Sequence, residues 1–397
     1  MTSTPTSLAP PPPAVPPQAT RADRPTLTEL RLSAFAGHRR TTIPLAPLTF
    51  LAGPSGSGKT SALRACAALA QLASGTELAE VFADPGACVP ETARADAGGR
   101  RGFRIGCTVD GPAGPVRLDL AVQAEPELRI VGERLSRGPL TLLETALRDP
   151  GRRSVQAAWH TAGSAPVTRG PLPDDLLGTA LLPLRVAGKT AGQRTVLAAA
   201  EQVVVALRSL FPCDPLPRRM RRVVPLGPGR LLPGCDNLAE VLRRTHSECA
   251  IRYGILVKAV DSGCAGRTVN VLTEELGDGL VRALLDRGEG IRTPVERLGD
   301  GELRFLALAL VLLTGPGVLD VDPAAEVPEA LQTLTVLADG FDRGLDRRQF
   351  ALLRDLALQT VARGHIRLLA TVTDTSWAAA GAGEPRAGGI AVVDLGR

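Results

Sequence analysis

The sequence predicts an α/β fold with buried apolar strands near both ends of the chain. The first observation is a short apolar segment at residues 47–52, which is typical of a buried strand. A glycine-rich loop and a run of good helix formers follow it directly. The second observation lies near the other end of the chain, where the apolar residues 334–338 lead to Asp339. Both segments are therefore predicted to be buried strands.

The loop after the first strand fits the pattern G-x-x-x-x-G-K-[ST] of a phosphate-binding P-loop. It comprises Gly53, Pro54, Ser55, Gly56, Ser57, Gly58, Lys59 and Thr60, followed by Ser61. Glycines allow several backbone N–H groups to point at one anion, and the helix that follows adds the positive end of its dipole. In this pattern the lysine reaches the β- and γ-phosphates and the threonine hydroxyl binds Mg²⁺. The loop therefore predicts binding of a nucleotide with Mg²⁺.

Composition sets wider limits on the function. The 397 residues carry a formal net charge of +5, which permits contact with nucleic acid but does not require it. The densest basic run, at residues 218–222, is either a contact to a phosphate backbone or an exposed loop. The seven cysteines form no C-x-x-C pair and no apolar run reaches membrane-spanning length. We therefore expect a cytoplasmic protein with reduced thiols and no membrane contact.

The segments between the two ends have weaker patterns. Residues 1–25 are rich in proline and are expected to be a disordered tail. Alternating apolar and polar residues predict antiparallel strands at residues 103–109, 116–122 and 127–133. Residues 145–175 are rich in turn formers, and from residue 174 the pattern becomes helical.

Residues 298–302 form a glycine turn that precedes a strongly apolar helix. The turn reads Leu-Gly-Asp-Gly-Glu and resembles the signature motif of ABC-type ATPases, most closely the form found in the RecF, SMC and OLD-like branch. In that family the turn donates backbone N–H groups to the γ-phosphate held by the opposite subunit. The matching residues are Gly299, Asp300, Gly301 and Glu302, with Gly299 in the place of the family's serine.

The segment that ends at Asp339 resembles the Walker B strand of the same family, in which the aspartate holds Mg²⁺. The family places a water-positioning glutamate next, where this chain has Gly340. Asp322 is an alternative Walker B aspartate that lies closer to the usual spacing from the signature turn, but Pro323 then occupies the glutamate position. Residues 365–374 resemble the switch strand without the histidine that normally ends it.

This resemblance implies an ATP-binding protein of the ABC/SMC/RecF-like class, with a three-layer P-loop NTPase core and an antiparallel β layer. Residues 26–140 and 291–397 would form the ATPase domain, and residues 141–290 an inserted, mostly helical lobe. Lys59 and Asp339 would be the catalytic residues, and Arg39 could lie along the nucleotide phosphates. Two copies would close face to face over two ATP molecules.

Two functions are compatible with these residues. One is a slow ATP hydrolase that acts as an ATP-gated dimerisation switch, in DNA repair or defence. The other is a nucleotide-binding scaffold without turnover, whose protein partner does the chemistry. Slow hydrolysis is expected because the glutamate and the histidine are both replaced, and groups of this kind contribute roughly 10²–10⁴-fold in rate.

Overall fold

The computed structural model describes residues 24–319, 321, 332–379 and 390–396. Nearly all of the predicted proline-rich tail, and the alternative aspartate Asp322, lie outside these ranges. Strands and helices are numbered below in chain order.

A parallel sheet occupies the centre of the fold. Its strands are β3 (Leu48–Ala52), β10 (Leu210–Cys213), β15 (Leu334–Ala338), β16 (Ile366–Val372) and β17 (Ile390–Asp394). They pair in the order β10-β15-β16-β3-β17, so a strand from the N-terminal part lies between two from the C-terminal part. Strands β3, β15 and β16 are buried along their whole length, as expected for a parallel sheet covered on both faces. The prediction of a core built from both ends is confirmed.

An eight-stranded antiparallel sheet forms a second layer. Its strands are β1 (Thr26–Phe35), β2 (His38–Pro44), β4 (Arg101–Asp110), β5 (Val116–Glu125), β6 (Arg129–Arg137), β7 (Leu140–Ala146), β8 (Ser154–His160) and β9 (Val167–Pro173). A smaller antiparallel sheet contains β11 (Val224–Pro225), β12 (Asn270–Leu276), β13 (Leu280–Gly288) and β14 (Ile291–Pro294). The predicted antiparallel β layer is therefore confirmed.

Helices cover both faces of the parallel sheet. The α-helices are α1 (Lys59–Ala73), α2 (Leu78–Val81), α3 (Gly178–Arg185), α4 (Ala191–Arg208), α5 (Pro217–Met220), α6 (Leu238–Glu248), α7 (Ala250–Gly263), α8 (Asp300–Leu313), α9 (Arg347–Ala362) and α10 (Thr375–Ala379). Phe50 of β3 packs into the core that contains α8 and α9, whereas Leu51 packs into the core that contains α1, α4 and the large antiparallel sheet. None of the helices in the described ranges combines the length and apolar composition that crossing a membrane requires.

The expectation that residues 141–290 are mostly helical is wrong, because this part of the chain contains several strands as well as helices. Strands β8 and β9 extend the large antiparallel sheet, β10 joins the parallel sheet, and β12 and β13 form a hairpin between helices. The local pattern misses β10 because that strand depends on a distant partner. The four-residue β10 pairs with β15, which lies more than a hundred positions further along the chain. The predicted domain boundaries themselves stay predictions.

Candidate functional site

The predicted P-loop connects the end of β3 to the start of α1, at the carboxyl edge of the parallel sheet. Gly53, Gly56 and Gly58 have φ values of 142°, 83° and 92°, which side chains other than glycine's rarely adopt. The Lys59 Nζ donates hydrogen bonds to the carbonyl oxygens of Gly53 at 2.6 Å and Pro54 at 2.8 Å. Its ammonium group therefore lies within the loop, close to the backbone that would surround an anion.

Asp339 follows β15 at the same edge of the sheet and lies beside the P-loop. The Thr60 hydroxyl donates to its carboxylate, with both carboxylate oxygens 3.1 Å away. The Thr371 hydroxyl at the end of β16 donates to Asp339 Oδ1 at 2.7 Å and accepts from the Gly340 N–H at 2.7 Å. The structure thus brings together Thr60, Asp339 and Thr371, although 279 positions separate Thr60 from Asp339.

A cavity of about 490 Å³ lies between the P-loop and the ends of β15 and β16. Its lining residues are Gly37, Ser55, Gly56, Gly58, Lys59, Thr60, Ser61, Asp339, Gly340, Asp342, Arg343, Thr371 and Thr373. Hydroxyl and carboxylate oxygens are the donors that Mg²⁺ prefers, and Thr60 and Asp339 supply one of each. Lys59 and the glycine loop supply a cation and permissive backbone. This set of groups fits a magnesium-bound polyphosphate.

His38, at the start of β2, packs against the P-loop at Gly58. This role was not predicted from the sequence. Its ring is buried, with Nε2 3.0 Å from the Gly58 carbonyl oxygen and Nδ1 3.1 Å from the Thr41 hydroxyl. A Cβ atom on Gly58 would lie 2.6 Å from His38 Nε2. Local sequence carries no signal for this role, because it depends on a contact across 20 positions.

Replacing Gly58 by alanine is expected to lower both thermal stability and nucleotide affinity. The added methyl group would clash with the His38 ring, and the residue would keep a φ near 92° that alanine resists. Strain of this kind costs about 1–3 kcal/mol. Thermal unfolding and nucleotide titration of the two proteins measure the effect. Gly37→Ala is the matched control for stability, since no atom lies within 4 Å of its added Cβ; equal destabilisation by both changes would contradict the prediction.

Gly340 takes the place of the water-positioning glutamate found in the family that the motifs resemble. Its backbone conformation and the space beside it do not suit a longer side chain. Gly340 has a φ of 61°, and a Cβ atom on it would lie 2.8 Å from Arg343 Nε. Asp342, two positions on, points its Oδ2 at the N–H groups of Thr373 at 2.6 Å and Asp374 at 3.3 Å. Thr373 directly follows β16. No carboxylate side chain therefore starts from position 340.

Arg304 connects α8 to the turn that carries Asp339, a role that no local pattern predicts. Its buried guanidinium donates to the carbonyl oxygens of Pro215 at 2.6 Å, Asp339 at 3.2 Å and Gly340 at 2.8 Å. It also pairs with the Asp214 carboxylate at 3.1 Å. One side chain thus joins β10, α8 and the turn after β15.

The signature-like turn does not line the cavity of its own chain. Gly299, Asp300, Gly301 and Glu302 lie at the start of α8, where Glu302 accepts from the Gly299 N–H at 3.0 Å. Arg221, from the basic run, donates to the Leu298 carbonyl oxygen at 2.7 Å and to Asp300 at 2.6 Å. Arg39 is exposed on β2 and is absent from the cavity lining, unlike its neighbour Gly37.

Cysteines do not contribute reactive groups to this cavity. Burial raises the pKa of the Cys107 and Cys264 thiols to about 12, so both stay protonated near neutral pH. The cavity lining contains no cysteine. Among the residues that the structure describes, no group of three histidine, cysteine, aspartate or glutamate side chains could hold a metal ion alone. A metal at this site would depend on Thr60, Asp339 and the ligand.

Solved structures similar to this chain include three heads of SMC proteins. An SMC head bound to the C-winged helix domain of ScpA is 12% identical, with 89% of this chain and 91% of that chain covered and a TM-score of 0.49. An Smc head with an extended coiled coil, bound to the C-terminal domain of ScpA derived from Pyrococcus furiosus, is 9% identical, with 89% and 90% covered and a TM-score of 0.46.

The SMC head domain from Thermotoga maritima is 13% identical, with 88% of this chain and 89% of that chain covered and a TM-score of 0.38. No family model matches the chain, and no curated protein matches it.

Proposed function

We propose that this chain binds ATP with Mg²⁺ at the cavity between the P-loop and Asp339. The observation that carries the proposal is the convergence of Lys59, Thr60 and Asp339 at one edge of the parallel sheet, around a cavity of about 490 Å³. Ligands of open α/β sheets bind at the carboxyl ends of the strands, where these residues lie. Their order along the chain also matches the P-loop and Walker B motifs.

Each residue has a definite part in this proposal. The backbone N–H groups of the glycine loop and the start of α1 hold the phosphates, and Lys59 neutralises their charge. Thr60 and Asp339 would hold the metal, which would neutralise part of the phosphate charge. Thr371 keeps the Asp339 carboxylate oriented through its 2.7 Å hydrogen bond. His38 supports the loop beneath Gly58.

Replacing Asp339 by asparagine is expected to remove the magnesium dependence of nucleotide binding. The amide keeps the size of the side chain and loses the negative charge that attracts the metal. Loss of a group that only orients a metal ligand already lowers metal affinity roughly 10–100-fold, so loss of the carboxylate charge is expected to have an effect at least as large. Calorimetric titration with ATP, in magnesium and in a chelator, measures the difference between the two conditions. Asp110→Asn, at the exposed end of β4, is the matched control.

A wild-type protein that binds no ATP, or an Asp339→Asn variant with unchanged magnesium dependence, would contradict this assignment. In the latter case Asp322, which lies outside the described residues, becomes the next residue to test.

We further propose that ATP acts in this protein mainly as a bridge between two copies, with slow hydrolysis. The cavity is open to solvent, and the 298–302 turn of the same chain does not reach it, so a second copy could supply that turn. Glu302 would have to release the Gly299 N–H before that group could bind a phosphate. Light scattering with and without ATP should show dimers only with ATP. A separate phosphate-release assay should show slow turnover in the wild type and slower turnover in Asp339→Asn.

The alternative proposal is a scaffold that holds ATP without turnover and passes the bound state to a protein partner. Phosphate release equal in the wild type and in Asp339→Asn would favour it.

DNA contact by residues 218–222 has less support, because Arg219 pairs with Asp236 and Arg221 is bonded to the turn before α8.

A further inference from the structure

Arg343 occupies the space beside Gly340 where the side chain of a water-positioning glutamate would begin. A Cβ atom on Gly340 would lie 2.8 Å from Arg343 Nε and 2.9 Å from both Cζ and Nη2. Arg343 also lines the cavity together with Lys59. At this point of the site the chain therefore presents a positive guanidinium in place of a negative carboxylate.

The contacts of Arg343 leave its charge available. Its hydrogen bond among the described residues runs from Nη1 to Asp214 Oδ1, at a long 3.3 Å, and its side chain is 55% exposed. Asp214 Oδ1 is shared with Arg304, which lies closer, at 3.1 Å, and has further bonds to three carbonyl oxygens. One carboxylate thus faces two guanidinium groups. Arg343 has the longer contact to that carboxylate and the more exposed side chain, so its guanidinium is the one accessible to a ligand in the cavity.

The other charged groups of the cavity already have partners. Asp339 accepts from the hydroxyls of Thr60 and Thr371, and Asp342 accepts from two backbone N–H groups. Two cations, Lys59 and Arg343, line the cavity from different chain segments. A phosphate chain held in the P-loop meets Lys59 from the loop itself, and its far end would meet Arg343 from the turn after β15.

We infer that Arg343 binds the terminal phosphate of the nucleotide and makes the site select a triphosphate over a diphosphate. The inference rests on the proposed function, since it needs nucleotide binding at this cavity. A planar guanidinium offers several N–H donors that match the oxygens of a phosphate group. An ammonium group acts as a point charge and binds phosphate with less directional specificity. A guanidinium bound to the terminal phosphate does not activate water as a carboxylate would. The site is therefore suited to holding ATP rather than to fast hydrolysis.

The test compares affinities for a non-hydrolysable ATP analogue and for ADP, both with Mg²⁺, by calorimetric titration. Arg343→Ala is expected to weaken binding of the triphosphate roughly 10–100-fold, because a hydrogen bond to a charged group is lost, and to leave ADP binding nearly unchanged. Arg343→Lys keeps the charge without the planar fork, and its affinity for the triphosphate is expected to lie between those of the wild type and Arg343→Ala. Arg347→Ala, at the exposed start of α9, is the matched control and should bind both nucleotides like the wild type.

Four outcomes decide the inference. A selective loss of triphosphate affinity in Arg343→Ala supports it. Unchanged affinity of Arg343→Ala for both nucleotides, or an equal loss for both, overturns the inference. In either case, ATP binding by the wild type still supports the proposed function. A wild type that binds neither nucleotide overturns both. Circular dichroism of each variant checks that the fold is intact, and Arg343→Gln replaces Arg343→Ala if the alanine variant fails to fold.

Discussion

Replacing Lys59 by alanine is expected to abolish nucleotide binding at micromolar concentrations while leaving the fold intact. The ammonium group lies 2.6 Å and 2.8 Å from two carbonyl oxygens of the loop, so it is positioned before any ligand arrives. Contacts to two phosphate groups would each contribute about 1.5–3 kcal/mol. The loss is therefore about 3 kcal/mol or more, which corresponds to roughly 100-fold or more in affinity.

Calorimetric titration with ATP measures this loss, and thermal unfolding checks the fold. Lys59 is half-buried, and its removal frees loop carbonyl oxygens that water can reach, so we expect little change in stability. Lys258→Ala, an exposed lysine on α7, is the control for a loss of one positive charge. An alanine variant at position 59 that binds ATP as tightly as the wild type would exclude the P-loop as the binding site.

Replacing Arg304 by methionine is expected to destabilise the protein by about 3 kcal/mol. The ion pair with Asp214 contributes little of this, because the Asp214 carboxylate is 41% exposed and solvent screens it. The larger part comes from the carbonyl oxygens of Pro215, Asp339 and Gly340, which lose a charged donor. Groups left unsatisfied in this way cost about 1–3 kcal/mol each. Methionine fills most of the volume, so the effect of a cavity is small.

Urea unfolding measures the change, with Arg218→Met as the control. Arg218 is exposed on α5, and substitutions of this kind usually stay within about 0.5 kcal/mol. The Arg304→Met variant should also bind ATP more weakly than its stability alone explains, because the turn carrying Asp339 loses its support. Wild-type stability in this variant would show that the turn is held by other contacts.

The contiguous parts of the site were predictable because their chemistry lies in one short segment. The strand at residues 47–52, the glycine loop and the helix after it follow one another directly, and the structure has them as β3, the loop and α1. The antiparallel strands at residues 103–133 were predictable for the same reason, since hairpin neighbours pair with each other. Periodicity and turn residues are local signals, and these elements form between local partners.

The rest of the site depends on residues with no local signal. His38, Thr371 and Arg304 are ordinary members of a turn, a strand or a helix until their partners are known. Each contacts a group far away in the sequence, such as Thr371 with Asp339 across 32 positions and Arg304 with Asp214 across 90. The strand β10 was missed for a similar reason, because four residues become a strand only beside β15.

Local sequence was sufficient to indicate a phosphate-binding loop, an acidic strand end and an α/β core. The tertiary structure decides which acidic group lies beside Thr60, what fills the space at Gly340, and that Arg304 joins three elements behind the site. The physical reason is the reach of the interactions. Backbone conformation is set largely by neighbouring residues, whereas hydrogen bonds and ion pairs between side chains depend on distances that only the folded chain establishes.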